Sequence, residues 1–287
     1  MKEKKNSRAK KILLMGISCV LVAAISVSAT LAYLTAKTND KDNKFTASGG
    51  ITGEVIEPNY EYAKTLNWKP GDEIAKNPMV DNDTANYDVW VGASIEYQLS
   101  VDGTNYQTVP YSVFSQYVTV TGKVGNDWVV MNATDTTKDY YFYNKRLTKQ
   151  TTETEASYDP NTSFGTTGSV TSDNTTELFT SVTPNAKLDI SPNYATTASS
   201  SKYVPMYDDN GTMKQKTLVT SNANIPTTNV NLDTLAFNSF NFKIKITGYG
   251  IKNDSSVGGG NLTELSGDTL ADVKSTILVG LGTTAES

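Results

Sequence analysis

Between Tyr87 and Leu99 every odd position is apolar or aromatic (Tyr87, Val89, Val91, Ala93, Ile95, Tyr97, Leu99), and most even ones are polar (Asp88, Ser94, Glu96, Gln98). Seven matches to a period of two define a half-buried strand, because successive side chains of a strand point to opposite faces. A second run repeats the pattern, with Phe240, Phe242, Ile244 and Ile246 alternating with Asn241, Lys243, Lys245 and Thr247. One face toward the core and the other toward water is the habit of antiparallel sheets. Weaker strand signals lie at 51–57, 113–120, 127–131, 139–143, 178–182 and 203–207. Turn chemistry separates them, at Pro70-Gly71, Val101-Asp102-Gly103-Thr104, residues 122–126 and Asp208-Asp209-Asn210-Gly211. The expectation is an all-β chain, an antiparallel β-sandwich of jelly-roll type.

Two stretches depart from that pattern. Residues 148–176 are rich in Thr and Ser and almost free of large apolar side chains, which predicts a mobile insertion loop. Residues 191–201 read similarly. Near the C-terminus Leu270, Val273, Ile277, Leu278 and Leu281 recur at helical spacing, so 269–281 predicts a short helix with one apolar face. The organisation expected is a leader at 1–32, an N-terminal arm at 33–50, a sandwich domain at 51–253 and a tail with its helix at 254–287.

The N-terminus carries export chemistry. Lys2, Lys4, Lys5, Arg8, Lys10 and Lys11 oppose only Glu3, and no charge follows from Ile12 to Leu34. A basic stub, an apolar core and small residues at Thr30 and Ala32 make a signal peptide, with Tyr33 as the new N-terminus. The run is also long enough to stay in a bilayer as an anchor. Cys19 is the only cysteine, and a lipoprotein reading is poor because Gly16 stands where leucine is wanted and most of the apolar run follows the cysteine.

Loss of residues 1–32 leaves no cysteine, no histidine and 19 Lys+Arg against 29 Asp+Glu. So acidic a chain repels phosphate backbones, and nucleic acid is not an expected partner. Without His or Cys, the common zinc, copper and haem sites and the Ser-His-Asp and Cys-His catalytic sets cannot be built. No catalytic residue, cofactor or metal is expected. Asp81, Asp83 and Asp88, or Asp208 and Asp209, have calcium-type ligands, yet neither stretch fits an EF-hand loop and turn chemistry explains them. Glu54 and Glu57, or Glu153 and Glu155, read as exposed strand and loop positions rather than a glycosidase pair. Trp68, Trp90 and Trp128 read as core or strand-face packing rather than a glycan-stacking surface.

A series of motifs now stands in order: TLAYLT at 30–35, Phe45 followed by Ser48-Gly49-Gly50, NWKPGDEIAKNPMVDNDTANYDVWVGASIEY at 67–97, DYYFYNKRL at 139–147, TTELFTSV at 175–182 and FNFKIKITGYGI at 240–251. The chain resembles the TasA/camelysin family of exported Gram-positive proteins with a SipW-dependent type of signal peptide. That resemblance implies a jelly-roll sandwich, processing by a SipW-type signal peptidase, and self-association into extracellular fibres of a biofilm matrix or cell surface. The insertion at 148–176, the tail after Asn253 and TGYGI at one strand end depart from the family pattern.

Three functional readings follow: a fibre-forming structural subunit, a monomeric adhesin for glycans, and a camelysin-like peptidase. The last suffers from the absence of any H-E-x-x-H motif. For the first, the arm supplies a mechanism. Tyr33, Leu34 and Phe45 are its sparse apolar positions, too few for a hairpin with its own core, so an arm freed by cleavage is a candidate donor strand for the next copy. The alternative is that it folds back on its own sheet or remains a spacer. Membrane contact is expected only through an uncleaved leader.

Overall fold

A computed structural model describes residues 44–47, 50–60, 65, 68–125, 127–150, 173–192, 194, 203–207, 212–254 and 264–286. The expected cleavage residues Thr30, Ala32 and Tyr33, the arm residue Leu34, most of the insertion and Asp208 and Asp209 lie outside them. The fold is mainly β.

Its frame is a pair of long strands, β5 (Val89–Ser100) and β14 (Asn241–Lys252), joined antiparallel from Asn241 opposite Ser100 to Lys252 opposite Val89. The other strands, in chain order, are β1 (Lys44–Ala47), β2 (Glu54–Ile56), β3 (Ile74–Ala75) and β4 (Met79–Asp81) ahead of the frame, and β6 (Gln107–Val109), β7 (Val118–Thr121), β8 (Trp128–Val130), β9 (Lys138–Tyr143), β10 (Ser181–Pro184), β11 (Tyr203–Tyr207), β12 (Met213–Val219) and β13 (Leu235–Phe237) between its two strands. Helix α1 is Tyr111–Tyr117 and α2 is Gly267–Gly280. The main sheet runs β1-β14-β5-β9-β8, with β6 also on β5. Smaller sheets are β3-β10-β7, which curls as a half-barrel, β11-β12-β13 and β2-β4.

The inner face of the frame carries Val89, Val91, Ala93, Ile95, Tyr97 and Leu99 of β5 and Phe242, Ile244 and Ile246 of β14. They share one core with Ile74, Val118, Val120 and Val182 of the half-barrel and with Phe114 and Tyr117 of α1. Rings meet at its centre: Tyr97 and Phe114 have centroids 5.0 Å apart, and Phe114 meets Phe242 edge-on at 6.1 Å.

The outer face was expected to meet water. On β5 it does not, because α2 covers it: Trp90 joins Phe142, Met131, Ile251, Val273, Ile277 and Leu278 in a second apolar cluster. The predicted helix thus forms, and Val273, Ile277 and Leu278 are its buried face. This third layer buries the outer face of β5 at Trp90 and Gly92, while farther along Glu96 lies in a polar network with Gln98, Thr108, Lys138 and Lys245. On β14 the alternation survives, with Lys243, Lys245, Thr247 and Tyr249 partly exposed.

Residues 113–120 are not one strand as expected. Pro110 fixes φ at −60° and its carbonyl accepts from the Val113 and Phe114 amides, so a helical turn starts there. Val113, Phe114 and Tyr117 then fall on one helical face and are buried together, and extended chain resumes only at Val118. In the 178–182 stretch, the strand begins at Ser181, while Leu178 and Phe179 fill the core ahead of it. Two pairings depart from the antiparallel expectation: β1 runs parallel to β14, and β12 parallel to β13.

Close contact between α2 and β5 depends on Gly92, where an added Cβ would lie 2.3 Å from Ile277 Cγ2 and 2.9 Å from the Tyr141 carbonyl. Gly92→Ala is expected to destabilise the protein by about 1–3 kcal/mol in urea unfolding, as overpacking does. Removing the opposing Cγ2 with Ile277→Leu, which is not branched at Cβ, should recover part of that loss; additive losses would show that the helix does not bear on Gly92.

Candidate functional site

At one edge of the main sheet lies β1, four residues long, paired in parallel with residues 247–250 of β14. Its apolar side chain is Phe45, 4 % exposed. The ring fits because three neighbours lack side chains: a Cβ at Gly53 or Gly250 would lie 2.9 Å from Phe45 Cζ, and one at Gly248 3.1 Å from Cδ2. The Gly248 and Gly250 positions also look onto Ile51, Val55 and Val80, which complete an apolar groove. Of the candidate arm residues, the structure therefore describes Phe45 alone, and it packs on its own chain's sheet.

Ser48, Gly49 and Gly50 follow β1, and Gly50 has φ +78° with nothing within 4 Å of where its Cβ would be. Such a φ is one glycine adopts without strain.

Beside the groove, carboxylates gather. Glu54 and Asp81 face each other across β2 and β4, and with Asp83 they present oxygens within 4.8 Å of one another. This comes from backbone geometry: the Asp83 amide donates to the Thr52 carbonyl, and the Asn82 amide to that of Asp173. Burial, then the charges of Asp83, Asp173 and Glu54, push the Asp81 carboxyl up to about 7. The spacing is one that a calcium ion bound by oxygens at roughly 2.3–2.6 Å would span. Asp88, which the sequence groups with these residues, is elsewhere: its carboxylate pairs with Arg146 at 3.1 Å and accepts from the Lys149 amide.

Glu57 overturns its expected exposure. It is 1 % exposed and meets Lys76, itself fully buried, with Nζ 2.6 Å from Oε1 and 2.8 Å from Oε2. The Tyr60 ring lies 4.9 Å from that Nζ. Burial drives the Lys76 amine down, against the opposing pull of Glu57. Sequence reasoning missed this pair; its one local signal was a lysine among Ile74, Ala75, Pro78, Met79 and Val80, and nothing local pointed to Glu57.

Trp90 and Trp128 are 2 % and 4 % exposed, and Trp68 sits partly buried with its ring edge-on to Phe242 at 5.6 Å. Among the described residues no helix is long and apolar enough to cross a membrane. Comparison with family models, with curated proteins and with solved structures found no match.

Asp81 gives the site a pH signature. Its folded value lies above the ordinary carboxylate value of 3.8, so the folded state holds that proton more tightly than the unfolded state does. Its contribution therefore falls as pH rises from about 4 to 7 and stays unfavourable above. Asp81→Asn is expected to raise stability by roughly 1–3 kcal/mol at pH 8 and to change it little at pH 4, read from urea melts. Equal effects at both pH values would contradict the assignment.

Proposed function

We propose that this chain is an exported structural subunit of a bacterial cell surface or biofilm matrix, which assembles into fibres when one copy lends its β1 segment to the groove of the next. The motif series and its resemblance to the TasA/camelysin family support this reading. It carries with it a jelly-roll type of sandwich, removal of residues 1–32 by a SipW-type signal peptidase, and a structural rather than catalytic role.

One observation carries it: Phe45, on a short parallel edge strand, fills a groove of its own chain made by Gly53, Gly248 and Gly250. Every copy has the same strand and the same groove. Contacts made within a chain are thus available between chains, and the balance rests on the hinge and on protein concentration rather than on new chemistry. Backbone pairing gives such an exchange its affinity, and the seat for Phe45 fixes its register. Burying one phenylalanine contributes about 1.5–3 kcal/mol, small enough to be given up and regained. Gly50, with its φ of +78° and open surroundings, is the hinge. Cleavage ahead of Tyr33 would be the switch, since an arm continuous with a membrane helix cannot enter another copy. Head-to-tail exchange that does not close on itself yields an open filament.

The purified chain beginning at Tyr33 is expected to form filaments under the electron microscope, and deletion of residues 33–48 to leave a β-rich monomer on size exclusion. A synthetic peptide of residues 33–48, added in excess to the intact chain, should shorten or prevent filaments even if the deletion variant folds poorly. Filaments that form as readily without residues 33–48 and ignore the peptide would overturn the proposal.

A further inference from the structure

Deep in the fold, and apart from the groove, the two charges of Lys76 and Glu57 face each other with almost no access to water. The amine nitrogen is within 2.8 Å of both carboxylate oxygens, and the two side chains are fully buried and 1 % exposed. We propose that this is a modification site at which the two side chains condense into an intramolecular amide, Lys76 Nζ to Glu57 Cδ, with loss of one water.

The atoms balance without a co-reactant. A proton passes from the Lys76 ammonium to the Glu57 carboxylate, giving a neutral amine and a carboxylic acid. The nitrogen lone pair then forms the bond to Cδ, the Cδ–OH bond breaks, and the hydroxyl leaves with a second proton from the nitrogen as water. No oxidation or reduction occurs.

Three physical features favour the step. First, the interior penalises two charges and tolerates a neutral amide, so the desolvation cost that weakens buried ion pairs becomes a driving force for losing them. Burial already drives the amine down toward its neutral, nucleophilic form. Second, the fold holds acid and amine in contact, which turns a bimolecular condensation into an intramolecular one. Third, the nitrogen is already within 2.8 Å of both oxygens that Cδ carries, so a shift in the side-chain torsions of Lys76 or Glu57 is enough to bring it over the face of Cδ. The reaction happens once per molecule, so no turnover is required. The Tyr60 ring beside the nitrogen helps keep water away from the pair.

The product would be a covalent brace between residue 57, one position past β2, and residue 76, one position past β3. A chain whose only cysteine lies at position 19 has no disulfide to do this work once residues 1–32 are removed. The brace would hold the β2 side of the groove while β1 is exchanged, but it depends on the local geometry alone and stands or falls apart from fibre assembly.

Mass spectrometry of the purified protein, its N-terminus fixed by sequencing, tests it. The expected intact mass is one water below the sequence mass, and digestion should yield a branched peptide joining Glu57 to Lys76. Lys76→Arg, which keeps a positive charge, should have the unreduced mass. A native chain with the full sequence mass and separate linear peptides containing Glu57 and Lys76 would overturn the proposal, whatever the variant does.

Discussion

Everything in this fold hangs on the antiparallel ladder between β5 and β14. Twelve residues on each strand pair in continuous register, a length of roughly 40 Å of extended chain. One strand alone would expose two rows of backbone groups and two side-chain faces. Paired, they present edges for β1, β9 and β6, an inner face for the aromatic core and an outer face for α2. The far end of the inner face is closed by polar chemistry: the Tyr97 hydroxyl donates to Asp139 Oδ2 at 2.8 Å, and Lys123 both pairs with Asp139 at 2.6 Å and lies over the Tyr111 ring at 3.2 Å.

The ladder also explains where the fold can yield. β14 is paired along its whole length with β5, while β1 is held by four residues and one ring. Removing β1 leaves that ladder intact, and the cost is confined to the groove. Electrostatics divides the neighbourhood in the same way. At the surface of the groove, Glu54, Asp81 and Asp83 repel one another, a local cost the fold tolerates. Inside, Lys76 and Glu57 are held against each other out of water, where separating them would leave an uncompensated buried charge.

The two central strands were legible because alternation sustained over so many residues fits little besides a strand, and the C-terminal helix because its apolar positions recur at helical spacing. The cover on the outer face of β5 was not. Trp90 and Gly92 share their strand face with the polar Asp88, Ser94, Glu96 and Gln98, and only a helix from the other end of the chain turns their end of that face into a core. Residues 113–120 misled because β-branched and aromatic side chains favour strands, whereas Pro110 and the spacing of Val113, Phe114 and Tyr117 favour a helical turn. At the candidate site, Phe45 with the glycines that follow it could be singled out. Its seat could not, since Gly248 and Gly250 lie some two hundred residues away. The Glu57 and Lys76 pairing is long-range in the same sense and leaves no periodic trace.

The central claim is that β1 changes partner between copies, and register makes it measurable. Thr46 lies opposite Tyr249 in the parallel pair, and after removal of residues 1–32 no native cysteine competes. Chains carrying Thr46→Cys and chains carrying Tyr249→Cys can be mixed, allowed to assemble and then oxidised. The account predicts a disulfide-linked dimer of the two variants in filaments and little in dilute monomer. The contradictory result is filaments that yield no mixed dimer, while a chain bearing both substitutions forms its disulfide internally within those same filaments.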